Sequence, residues 1–139
     1  MKAPGRRPMK AKWTGYTDRS YYFEVQNIET PPPDGIDGNY VFARWDRSKS
    51  RWVPVYIGKG ELSERYDEAM EDRCVTGKAT HYHWHENSEK RKHDREEADL
   101  IHGNPECMVK YGGCNKRQPS EKTLKSLRLP SLARTLGLE

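Results

Sequence analysis

Gly38-Asn39-Tyr40-Val41-Phe42-Ala43-Arg44-Trp45-Asp46-Arg47-Ser48-Lys49-Ser50-Arg51-Trp52-Val53-Pro54-Val55-Tyr56-Ile57-Gly58-Lys59 is the stretch on which the fold turns. Asn39 to Trp45 is rich in β-branched and aromatic residues and predicts a strand. Asp46 to Ser50 carries turn chemistry, and Arg51 to Ile57 predicts a second strand, so the stretch reads as a β-hairpin with one tyrosine on each arm. Gly58-Lys59-Gly60 is expected to break the second strand.

Working outward, Glu61 to Met70 is built of good helix formers, and Leu62, Tyr66 and Met70 recur every four residues. That interval predicts one buried helix face with Arg65 beside it. Thr80-His81-Tyr82-His83-Trp84-His85 alternates and predicts a short third strand. Asn87 or Ser88 is placed to cap a following helix that runs to about His102 and is stopped by Gly103-Asn104-Pro105. In that helix Ala98 and Ile101 pack inward, with Glu97 at the margin of their face. Upstream, residues 1–20 hold Pro4, Gly5, Pro8 and Gly15 with little periodicity and read as an arm. Tyr21 to Ile28 is rich in strand formers and could add an edge strand, ended by Thr30-Pro31-Pro32-Pro33-Asp34-Gly35. Downstream of Gly112-Gly113, Ser120 to Leu127 predicts a short amphipathic helix. The fold class is α+β: a small central three-stranded sheet, mixed or antiparallel, flanked by helices. Residues 1–37 are expected to form a basic arm that could add an edge strand, 38–115 the central domain and 116–139 a basic tail with a short amphipathic helix.

The chain has 139 residues, and its hydrophobic share of 33% leaves room for one small core. Twenty-five Lys and Arg against twenty-one Asp and Glu give a net charge of +4, which suits a polyanionic partner. The cations gather at the two ends, Lys2, Arg6, Arg7, Lys10 and Lys12 before the hairpin and Lys116, Arg117, Lys122, Lys125, Arg128 and Arg134 after it. Ends of this kind can grip a phosphate backbone on either side of a site, or simply be solvated. No apolar run is long enough for a membrane span, and the basic N-terminal stretch has no signal-peptide core, so a cytoplasmic location is expected. Cys74, Cys107 and Cys114 are odd in number and follow no pattern, so reduced thiols are expected.

Tyr40, Tyr56, Lys59, Arg65 and Glu97 supply the parts needed to cut a phosphodiester. Hydrolysis requires a base for the attacking water, positive charge around the five-coordinate phosphorus and help for the leaving oxygen. A single carboxylate, Glu97, can hold a hydrated Mg2+, an ion that keeps several waters. Arg65 can present paired donors to the phosphate, and Lys59 can charge the neighbourhood of the water or lower the pKa of a phenol. A tyrosine needs such neighbours, because its unperturbed pKa of about 10 makes it a poor base.

In this order the residues resemble the GIY-YIG nuclease family over about residues 38–108. Gly38-Asn39-Tyr40 stands at the first motif, Tyr56-Ile57-Gly58 matches the second, Lys59 matches the lysine that often follows, Arg65 falls on the first helix, and Glu97 takes the acidic place of an E-x-x-L-I helix. The resemblance implies a metal-dependent endonuclease acting on DNA, bacterial or phage-encoded, using Mg2+ or Mn2+ on Glu97, as a monomer or transient dimer. It implies Tyr40 as general base, Tyr56 as the group that orients water or phosphate, and Arg65 with Lys59 as transition-state stabilisers. Lys59, Arg65, Lys116 and Arg117 are the DNA-binding candidates. Ala69 stands where many members carry a histidine or tyrosine one turn after the arginine, and His81, His83 and His85 are the auxiliary candidates for that role. Met108 stands near the place of a family asparagine, for which Asn104 and Asn115 are the candidate substitutes.

Four other readings compete. A catalytically weak or inactive nucleic-acid-binding module retaining the same fold is the alternative to an enzyme, and a structural partner protein using the C-terminal helix is a further one. The histidines 81, 83, 85 and 93 with Cys107 and Cys114 suggest a zinc site, although no C-x-x-C pair accompanies them. Trp13, Tyr16, Trp45 and Trp52, interleaved with cations, suggest base stacking or, for Trp52 above all, a cap on the core.

Overall fold

The computed structural model describes residues 9–117. In chain order they form β1 (Lys10–Thr14), β2 (Ser20–Asn27), β3 (Asp37–Asp46), β4 (Arg51–Glu61), α1 (Leu62–Met70), α2 (Arg73–Lys78), β5 (His81–Glu86) and α3 (Lys90–Gly103), followed by 3-10 turns at Pro105–Cys107 and Val109–Tyr111. The fold is α+β. Its sheet has five strands, not three, in the order β1-β2-β5-β3-β4, and every neighbouring pair is antiparallel.

β1 corrects the reading of residues 1–20 as an arm, whereas β2 forms where a strand was expected at Tyr21 to Ile28. In β1 the side chains alternate, Ala11 and Trp13 buried between exposed Lys10, Lys12 and Thr14. The alternation spans only five residues, too few to stand out beside the prolines and glycines around it. β2 is interior, flanked by β1 and β5. The true edges are β1 and β4, and Pro54 sits on β4, where a missing N–H is tolerated. Residues 1–8 of the N-terminal arm and the amphipathic helix expected at 120–127 lie outside the described residues.

The hairpin forms as expected but runs further. Gly58, Lys59 and Gly60 do not break β4; they pair with Tyr40, Asn39 and Gly38 of β3. Two cores lie on opposite faces of the sheet. On one, Tyr40, Phe42 and Tyr82 pack with Leu62 and Tyr66 of α1 and Val75 of α2. On the other, Val41, Ala43, Phe23 and Trp13 pack with Leu100 and Ile101 of α3. Asp99 of α3 is fully buried, and its carboxylate accepts from Thr17 N, Thr17 Oγ1 and Tyr21 Oη at 2.9, 2.9 and 2.7 Å, tying the β1–β2 turn to the helix. Trp52 covers the core edge-on to His83, with ring centroids 4.4 Å apart.

The cysteines depart from expectation. Cys74 and Cys114 form a disulfide, and Cys107 is a buried free thiol. Sequence spacing hid the pair because they meet only where the chain returns to β4: Cys114 N donates to Val55 O at 2.8 Å. Among the described residues, no helix is long and apolar enough to cross a membrane.

Candidate active site

A cleft of about 460 Å³ opens at the β4 edge, and Tyr40, Tyr56, Lys59, Arg65 and Glu97 all line it. They arrive from both faces of the sheet. Tyr40 belongs to the α1 face of β3 with Tyr56 packed nearby, whereas Lys59 reaches the carboxylates of α3. The faces communicate because the edge is thin at two glycines. A Cβ on Gly58 would lie 2.2 Å from the Tyr40 hydroxyl, and one on Gly60 would lie 2.7 Å from Arg65 Nε. Gly60 also has φ +131°, a conformation that side chains rarely adopt.

The charges are arranged around Lys59. Its ammonium lies 2.5 Å from Asp94 Oδ1 and 3.7 Å from Glu97 Oε1. Burial raises the Glu97 carboxyl above its usual range, Lys59 pulls it down and Asp94 pushes it up. Arg65 Nη1 donates to Glu68 Oε2 at 2.7 Å on the same helix, where both side chains are well exposed.

Both phenols hold their protons more tightly than usual. Burial is the main cause for Tyr40, whose pKa is raised well above 10, with further contributions from Tyr56, Tyr82 and Glu97; Arg65 opposes the shift weakly. Tyr56 is raised by burial and by Glu97, and a hydrogen bond from Tyr40 moderates the effect. Both phenols thus stand above their usual range with burial as the main cause, while the Lys59 ammonium lies against Asp94 and Glu97.

The remaining sequence candidates lie elsewhere. His81, His83 and His85 do not line the cleft. His83 is fully buried on the α3 face, its Nδ1 accepting from Trp13 Nε1 at 3.0 Å, and burial lowers its pKa to about 3. His85 pairs with Glu96 and packs on Phe23. Asn115 is buried and clasps the backbone of Ile57: its Oδ1 accepts from Ile57 N at 2.8 Å and its Nδ2 donates to Ile57 O at 3.0 Å. Lys116 and Arg117, exposed just beyond that clasp, leave the body near the strand carrying Tyr56. Asn104 serves the fold, donating to Thr14 O and Leu100 O.

The sequence reading missed His93 and Asp94 as cleft residues, together with Glu68, Asp72 and Lys90. The signal for the first two was present, since they precede Glu97 by four and three residues and so share its side of a helix.

Among the described residues, no group of three or more His, Cys, Asp or Glu side chains is arranged to hold a metal ion. Glu97 nevertheless fits a hydrated Mg2+ or Mn2+: it is a hard oxygen donor, its side chain 21% exposed, on the wall of an open cleft. A cation there would offset the burial that raises its carboxyl. Comparison of the chain with protein-family models, curated proteins and solved structures finds no match.

Proposed function

We propose that this chain is a metal-dependent endonuclease of the GIY-YIG type that hydrolyses DNA phosphodiester bonds. One observation carries the reading: Tyr40, Tyr56, Lys59, Arg65 and Glu97, singled out from separate parts of the sequence, line the same cleft. Mg2+ or Mn2+ held by Glu97 would polarise the phosphate and acidify a bound water. Arg65, on releasing Glu68, has paired donors for the phosphate oxygens, and Lys59 offsets the negative charge that grows on them. Tyr40 and Tyr56 keep their protons at neutral pH and so serve as hydroxyl donors that orient phosphate and water. The tyrosine-base role implied by the family resemblance then falls to another group. A single cleft of this composition per chain would cut one strand per encounter, so a double break needs a second copy or a second visit.

The test is incubation of supercoiled plasmid with the purified protein and Mg2+. Nicked and linear products are expected, with none in EDTA and at least a hundredfold less with Glu97→Ala, in line with the roughly 10²–10³-fold effect of removing a transition-state stabiliser. Cleavage that survives in Glu97→Ala would withdraw the site assignment.

The alternative is a non-cutting nucleic-acid-binding module, favoured by the engagement of Lys59 between two carboxylates. It predicts retention on DNA that falls steeply with salt, and no product with any divalent metal.

A further inference from the structure

His93 is 6% exposed and lines the cleft, and its buried Nδ1 has no hydrogen-bond partner. A buried polar atom left without a partner is costly, and folds keep few of them. The backbone around it is firmly held. Asn39 Nδ2 donates to His93 O at 2.9 Å, Asn87 Nδ2 donates to Asn39 Oδ1 at 3.2 Å, and Asn39 is paired with Lys59 across the hairpin. His93 stands one helical turn before Glu97, on the same side of α3. Ala69 of α1 contributes only a methyl group to the cleft wall.

The other titratable groups facing His93 are committed. From β3 and β4 come Tyr40 and Tyr56, both held protonated, and Lys59, held by Asp94 and Glu97 of α3 itself. From α1 come Arg65 and Glu68, paired with each other, and beyond it Asp72, whose Oδ1 accepts from Cys74 N at the start of α2. Lys90, like Lys59 and Arg65, has no lone pair to offer when charged. Imidazole is the side chain suited to take and release a proton near neutrality.

We propose that His93 is a catalytic residue of this cleft, the proton acceptor for the water that attacks the phosphodiester. The inference rests on the nuclease reading. The water oxygen bonds to phosphorus while its proton passes to Nε2 of His93, the ring nitrogen other than the buried Nδ1. The opposite P–O bond breaks, its electron pair leaves on the departing alkoxide, and solvent protonates that oxygen. The imidazolium then returns its proton to solvent.

The experiment is single-turnover plasmid cleavage in Mg2+ from about pH 5.5 to about 9, with wild type, His93→Ala, His93→Gln and Glu97→Ala. His93→Ala is expected to cut roughly 10²–10⁴-fold more slowly with DNA retention unchanged, and added imidazole to restore part of the rate. The wild-type rate should rise with pH along a limb that His93→Gln lacks. His93→Gln preserves a polar side chain and carries the test if the alanine variant melts early. Cutting by His93→Gln at the wild-type rate with the same limb would overturn the role of His93 and leave the nuclease reading standing. A wild type that never cuts would overturn both.

Discussion

Gly58 illustrates how single residues govern this protein. It was legible in the sequence as the end of a motif, but the tertiary reason for it is the Tyr40 hydroxyl, which would lie 2.2 Å from an added Cβ. Gly58→Ala must therefore displace the Tyr40 ring or the edge strand, and a loss of about 1–3 kcal/mol is expected from the overpacking. The urea midpoint measures it, and an unchanged midpoint would show that the ring yields freely. The five side chains expected at the site were all legible, because their chemical types and order are sequence properties. The spacing of His93 and Asp94 from Glu97 was legible too, but the entry of His93 into the cleft and the hold of Asp94 on Lys59 were not, since each depends on what lies across the cleft. The auxiliary histidines failed for the same reason: alternation put His81, His83 and His85 on one side of β5, but the cleft is lined by β4, from which β3 separates that strand.

At the scale of elements, strands and helices followed from local pattern wherever the pattern was long. The β3–β4 hairpin, α1, β5 and α3 were read near their observed bounds. The six-residue α2 and five-residue β1 were missed, for segments so short draw their stability from the surfaces they cover. The segment after α3 is held by tertiary ties. Cys114 is bonded to Cys74 of α2 across a sequence separation of 40, and Asn115 clasps Ile57 of β4. A loop of that size corresponds to about 4 kcal/mol of chain entropy in the unfolded state. Cys114→Ser should thus lower stability by ~2–4 kcal/mol, and dithiothreitol should do so for the wild type but not for the variant. Urea titrations with and without reductant check this, and equal midpoints would contradict it. Such bonds persist in oxidising surroundings and are reduced in a glutathione-buffered cytosol, so the redox state of this pair in cells reports the compartment.

For the whole molecule, the buried His83 sets a pH dependence. Unfolded, its imidazole takes a proton near its usual 6.5; folded, burial defers that to about 3. Between those values the unfolded chain binds more protons, so stability present above pH 6.5 is lost as pH falls toward 3, at up to about 1.4 kcal/mol per pH unit. Urea midpoints at successive pH values through this window should fall steadily; a flat profile would mean that His83 is protonated in the fold. The sequence by itself determined the α+β class, the central hairpin and the identity of the groups offered to a phosphodiester, because propensity, periodicity and residue chemistry act over a few neighbours. Only the tertiary structure decided the five-strand order, the disulfide, the protonation of the phenols and the presence of His93 in the cleft. Those features depend on desolvation and on contacts between segments distant along the chain, and both arise only when the two faces of the sheet are packed.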